Sequence, residues 1–205
     1  FWVKVAESAV SDMLSRLGIN TVPVTEILEA FGVRGGVSDT DAIIRGGTYE
    51  QSGQVLAEVL ERHGTKIGTA DAAALVRETF SANSGAGEIK GCAGLKETLC
   101  RLKSLGIRLA VVTTDSADIT RKCLEGLGIE KFFDKIYTDD GKTPPKPEPY
   151  CAEEFLKAYG IKPENAVMIG DTLTDAQFAE NAGMKFIAVA SGAAGKELED
   201  RAAAV

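Results

Sequence analysis

The sequence predicts an α/β protein, a doubly wound parallel sheet joined to a separate all-helical unit. Three observations predict it. Residues 1 to about 80 repeat apolar side chains at three- and four-residue steps and hold no convincing strand. A small, polar stretch follows at residues 81–87. Beyond it, short apolar runs alternate with amphipathic helices, the pattern of β-α units whose strands are covered on both faces.

The helical half comes first. Trp2, Ala6, Ala9, Met13 and Leu17 form one stripe, widened by Val10 and Leu14, and Gly18 ends that helix. A short helix after Pro23 carries Ile27, Leu28 and Phe31 and stops at Gly32. Val55, Leu56, Val59 and Leu60 mark a third, ending near Gly64. Thr69 or Asp71 caps a fourth that holds Leu75, Val76 and Phe80. The stretch from Ser81 to Gly87 reads as a linker, which sets a helical domain at 1–84 and an α/β domain at 85–205.

In the second half Leu95, Leu99 and Leu102 line a helix that closes at Gly106. Residues 107–112 read as a buried parallel strand. Ser116 caps the next helix, with Ile119, Cys123, Leu124 and Leu127 inward. A short strand at 135–137 follows, then a helix with Cys151, Phe155 and Leu156. Residues 166–169 and 186–189 are two further strands, separated by a helix through Phe178 and Ala182. The last residues, Arg201 to Val205, stop where one more strand is expected to start.

Composition narrows the function. The chain has 205 residues, a net charge of −7 and a pI near 4.9. That balance argues against nucleic acid as a partner, because a phosphate backbone needs a concentrated basic face. A small phosphorylated ligand stays compatible, since one lysine and a few helix N-termini make a local positive pocket. No apolar run approaches the roughly 20 residues that cross a bilayer, and no signal peptide is legible at Phe1-Trp2-Val3-Lys4. Cys92, Cys100, Cys123 and Cys151 lack metal-ligand spacing, and the single histidine, His63, is remote from them in sequence. They read as reduced, mostly buried thiols of a cytoplasmic protein.

Open parallel sheets bind ligands at the carboxyl ends of their strands, so the residues just after each strand carry the chemistry. After 166–169 comes Gly170-Asp171-Thr172-Leu173-Thr174-Asp175. Gly170 lets the chain turn off the strand, and the four-residue spacing brings Asp171 and Asp175 to one end of one element. Paired hard oxygens suit Mg²⁺, and the same two residues would serve equally as helix caps. Thr113 and Thr114 follow the strand at 107–112, where a hydroxyl can donate to a phosphate oxygen or cap a helix. Lys146 lies inside Pro144-Pro145-Lys146-Pro147-Glu148-Pro149, whose prolines are expected to keep the backbone extended and stiff. Its ammonium would neutralise a phosphate, or simply sit on the surface.

In that order and context these residues resemble the haloacid dehalogenase superfamily. Ala110-Val111-Val112-Thr113 is similar to its second motif, Lys146-Pro147 to its third, and Gly170 to Asp175 to its fourth. Ala179-Glu180-Asn181-Ala182-Gly183-Met184 is also typical of it, and the resemblance is specific from about residue 89 to 192. It implies a Mg²⁺-dependent phosphohydrolase, phosphoglycolate phosphatase-like, acting on a small phosphorylated metabolite through an aspartyl-phosphate. Thr113, Thr114 and Lys146 would bind phosphoryl oxygens, Asp171 would ligate the metal, and Asp175 would ligate or orient it. The helical unit would be the cap that closes over the site and selects the substrate. Arg34, Arg45 and the Gly32–Gly36 loop can reach such a site, but solvated arginines are the ordinary case and neither is assigned to it.

One motif is missing. The family's Asp-x-Asp-Gly-Thr, which supplies the nucleophile and the general acid/base, occurs nowhere in the 205 residues. Thr138-Asp139-Asp140-Gly141-Lys142-Thr143 has the wrong spacing and the wrong place, in the loop before the lysine. The expectation is an incomplete chain whose first, central strand would precede Phe1; without that strand its neighbours expose unpaired edges. Alternatives are a sugar phosphomutase of the same superfamily and a catalytically inactive binding protein that keeps the fold. A flavodoxin-like or nucleotide-binding domain ranks last, because no G-x-x-x-x-G-K loop is present.

Overall fold

A computed structural model describes residues 2–39, 42–85, 89–189 and 196–203. The first half is α1 (Trp2–Arg16), α2 (Val24–Ala30), a hairpin of β1 (Val33–Arg34) and β2 (Val37–Ser38), α3 (Ile43–Gly46), α4 (Tyr49–Arg62) and α5 (Thr69–Ala82). Its core is one cluster in which Val5, Val10 and Met13 of α1 meet Ile27 of α2, Leu56 and Leu60 of α4 and Val76 of α5. The apolar stripes therefore face one another as their spacing requires.

The hairpin corrects the reading of this half as purely helical. Gly35 and Gly36 both adopt positive φ, 56° and 77°, as a two-residue turn with the right twist demands. Val33 pairs with Ser38 and Arg34 with Val37. Gly68, not Thr69 or Asp71, stands at the N-cap of α5, and α5 continues to Ala82, into the segment read as a linker. Ala86 and Gly87 of that segment lie outside the described residues.

The second half runs α6 (Leu95–Ser104), β3 (Ala110–Val112), α7 (Ala117–Leu127), β4 (Lys135–Tyr137), α8 (Tyr150–Tyr159), β5 (Val167–Gly170), α9 (Leu173–Asn181), β6 (Lys185–Ala188) and α10 (Lys196–Arg201). β3 pairs in parallel with β4, and β5 with β6. β3 begins at Ala110 rather than Ile107 because Asp134 takes the preceding residue. Its carboxylate accepts Leu109 N–H at 2.9 Å, and its own N–H donates to Leu109 C=O at 2.8 Å.

Among the described residues the two parallel pairs do not join into one sheet. They nevertheless share a helical backing. Val112, Tyr137 and Met168 all pack against Cys151 and Ala152 of α8 and Phe178 and Ala182 of α9. On the other face Val167 and Ile169 of β5 are exposed, so half of that strand's apolar pattern has no cover. After α10, Ala203 N–H donates to Phe186 C=O at 2.7 Å, beside β6, where a further strand was expected.

α7 divides its apolar residues between the halves. Leu124 and Leu127 face Leu99 of α6 and Val111 of β3, whereas Ile119 and Cys123 enter the helical cluster. The thiols also depart from expectation: all four are free, but Cys92 and Cys100 are exposed and only Cys151 is fully buried. Among the described residues no helix is long and apolar enough to cross a membrane.

Candidate active site at the strand tips

The turn from β5 into α9 is built around one carboxylate. Thr172 caps α9: its hydroxyl oxygen accepts Asp175 N–H at 3.2 Å, and Asp175 Oδ2 accepts Thr172 N–H at 3.2 Å in return. The same Oδ2 also accepts the Thr172 hydroxyl at 2.7 Å and Asp171 N–H at 3.2 Å. This is a reciprocal cap of the kind that satisfies the free donors of a first helical turn. Gly170 makes room for it. A Cβ there would lie 2.5 Å from Asp175 Cβ, and Gly170 does not adopt a positive φ. Close approach, not turning freedom, is why the position is glycine.

Lys146 completes the arrangement from the loop after β4. Its Nζ donates to Asp175 Oδ1 at 2.6 Å, with the two side chains only 10% and 6% exposed. The loop is a turn rather than an extended run. Glu148 N–H donates to Pro145 C=O at 3.0 Å, and the Lys146–Pro147 peptide is cis. Asn181 on α9 fastens it by donating to Pro147 C=O at 2.9 Å. Both Asp175 oxygens are thus engaged, and every buried side-chain nitrogen and oxygen described has a partner.

Asp171 is the more exposed member of the pair, at 42%. Arg45, reaching across from α3, donates through Nη2 to its Oδ2 at 2.5 Å and is itself only 14% exposed. Sequence reading could not single out this arginine, because 126 residues separate it from its partner. Arg34, its fellow candidate, pairs with Asp39 on the surface. No cage of three or more His, Cys, Asp or Glu side chains exists among the described residues. Mg²⁺ does not need one, since it binds through one or two carboxylates, waters and substrate oxygens. Asp171, held by its backbone contact to Asp175, fits that requirement.

Thr113 stands at the tip of β3, its N–H extending the ladder to Tyr137 C=O at 3.0 Å. Its hydroxyl donates to Asp115 Oδ2 and accepts Asp115 N–H, both at 3.1 Å. Thr114 and Asp115 line a small cavity of about 30 Å³ between the halves, with Trp2, Tyr49 and Phe80 opposite. Desolvation there pushes the Asp115 carboxyl up to about 6, against the opposing pull of Thr113 and Lys146. Ser116 caps α7 through Ile119 N–H, and its own N–H donates to the Tyr49 hydroxyl at 3.4 Å. Burial, followed by the Asp115 charge, raises the Tyr49 phenol to about 12.

Arg77 of α5 lies over the Tyr49 ring at 4.6 Å and donates to Asp139 C=O at 2.9 Å and Oδ1 at 3.2 Å. Asp139 also accepts Gly141 N–H, while Asp140 accepts Lys142 and Thr143 N–H. The Asp139-Asp140 pair shapes its own loop through these contacts. A larger cleft, about 510 Å³, opens between α4 and the start of α9, with Gln51, Gln54, Glu58 and Thr174 along it.

Polar residues thus gather on the tips of parallel strands, beneath helices tied to them by Arg45 and Arg77. The chain belongs to the family of haloacid dehalogenase-like hydrolases, whose pattern it matches over residues 18–189. It is 39% identical over 94 residues to pyrophosphatase PpaX of Bacillus velezensis, covering 46% of this chain and 44% of that protein. To phosphoglycolate phosphatase of Nitrosococcus oceani it is 34% identical over 99 residues, covering 48% and 44%. The match thus spans about half the length of these curated relatives. Among solved structures it is similar to CbbY of Rhodobacter sphaeroides in complex with phosphate. The TM-score is 0.63 at 25% identity, over 90% of this chain and 78% of that one.

Proposed function

We propose that the protein is a Mg²⁺-dependent phosphohydrolase of small phosphorylated metabolites, phosphoglycolate phosphatase-like, with residues 1–84 as cap and 85–205 as catalytic core. The observation that carries this is the contact of Lys146 with Asp175 at 2.6 Å, beside the exposed carboxylate of Asp171. A cation and two acidic groups so placed at strand tips suit a phosphoryl group and its counter-ion.

Each residue then has a distinct task. Asp175 is spent on orientation, fixing Lys146 and the Asp171 backbone. Lys146 offers its remaining protons to phosphoryl oxygens. Thr113 and Thr114 add hydroxyl and backbone donors from β3, once Thr113 turns from Asp115 toward the ligand. Asp171 would hold Mg²⁺, which supplies charge neutralisation to the transferring group. The cleft along α4 gives room for the part of the substrate that does not react. An aspartyl-phosphate intermediate belongs to this reading and requires a nucleophilic aspartate that no Asp-x-Asp-Gly-Thr motif of the 205 residues provides.

A second reading is a binding protein that keeps the fold and does no chemistry. Hydrolysis of p-nitrophenyl phosphate by the full-length protein, with and without Mg²⁺, separates the two. Turnover that requires Mg²⁺ and disappears in Lys146→Ala supports the enzyme; no turnover in either condition supports the binding protein.

A further inference from the structure

We propose that Arg45 is a positioning residue that occupies Asp171 Oδ2 until a divalent cation takes that oxygen, so that cation binding and the Arg45 contact exclude one another. The inference rests on reading Asp171 as the cation ligand and adds a competitor to it. Three features place the competitor. Arg45 Nη2 lies 2.5 Å from Asp171 Oδ2, and the arginine side chain is only 14% exposed. α3 is docked where the arginine must reach, since a Cβ on Gly46 would lie 3.1 Å from Thr174 Oγ1 and 3.5 Å from Thr172 Cβ. Asp175 is no alternative partner, because Lys146 and the first turn of α9 already hold both its oxygens.

A guanidinium and a divalent cation on one carboxylate oxygen repel each other, and in a partly desolvated cleft water screens that repulsion poorly. The cation therefore displaces Arg45 from Asp171 or binds less tightly while Arg45 remains. By reciprocity, a filled site loosens the tie between α3 and the start of α9.

The test is a Mn²⁺ titration, followed by the loss of the free-ion electron paramagnetic resonance signal, on the full chain and its variants. Arg45→Gln and Arg45→Met are expected to tighten Mn²⁺ binding about fivefold or more, the lower range of ordinary site–site coupling. Arg45→Lys, which keeps the charge, should stay near wild type, and Asp171→Asn should lose the site. A merely structural arginine would weaken binding or leave it unchanged. Two neutral variants are read together, each checked by circular dichroism, so that misfolding of one does not decide the result. If Asp171→Asn abolishes binding but neither neutral variant tightens it, the competition is refuted and the metal reading stands. If Asp171→Asn binds Mn²⁺ as wild type does, both are refuted.

Discussion

Lys146 and Asp175 meet at 2.6 Å, and that single contact joins the loop after β4 to the first turn of α9. The two strands that feed them belong to different hydrogen-bonded pairs. The ion pair, with Asn181 on Pro147 C=O, is therefore a polar bond between parts that share no ladder.

Removing one partner should cost more than removing both. Asp175→Ala leaves a nearly buried ammonium unpaired and strips the Asp171 and Thr172 N–H groups of their acceptor. A loss of roughly 3 kcal/mol is expected, as for other broken buried pairs. Urea unfolding of Asp175→Ala, Lys146→Ala and the double variant checks this; additive losses would mean the pair is not coupled.

Gly170→Ala tests the close approach under Asp175. The added methyl would lie 2.5 Å from Asp175 Cβ, with backbone on one side and a capped helix on the other. Overpacking of this kind costs about 1–3 kcal/mol. The melting temperature should fall, and so should any Lys146-dependent phosphatase activity.

Gly53→Ala sets two effects against each other. Alanine is the better helix former by about 1 kcal/mol. Here, however, a Cβ would lie 2.5 Å from Ala73 N, where α4 and α5 touch backbone to backbone. The clash should prevail, and thermal melts should show net destabilisation rather than the gain that propensity alone gives.

Asp115 gives a pH dependence of defined sign. Its folded carboxyl titrates near 6, above the ordinary 3.8, so the folded state binds the extra proton. The stability it contributes is present below about pH 4 and disappears as pH rises through about 6. Lys146, Asp139, Tyr49 and Cys123 share its field and shape the transition. Asp115→Asn should therefore stabilise the protein at pH 7.5, by at most about 3 kcal/mol and less because the site is partly open, with little effect at pH 4. Chemical denaturation at both pH values is the measurement.

Periodicity made the helices legible, because burying a stripe against other stripes is what forms them. It also placed Lys146, Asp171 and Asp175 together, since each follows a strand and parallel strands deliver their tips to one edge. What escaped was set by contact across the chain. Arg45 and Arg77 have no local signature; they matter because α3 and α5 lie over the loops of Asp171 and Asp139. Asp115 looks like an ordinary polar residue until Tyr49 and Trp2 close over it. The β1–β2 hairpin did have a signal, Gly35-Gly36 between valines, hidden by the helical periods around it. Gly170 follows its strand as the sequence predicts, but the close approach of Asp175, not a turn, requires the glycine.

α7 anchors the two halves to each other. Ile119 is seated wholly within the helical cluster while Leu124, one turn and a residue further, is seated in the other half. Drawing Ile119 out into water would cost roughly 2 kcal/mol. The join between the two halves therefore rests first on α7, and the Arg45 contact on α3 is a polar addition to it.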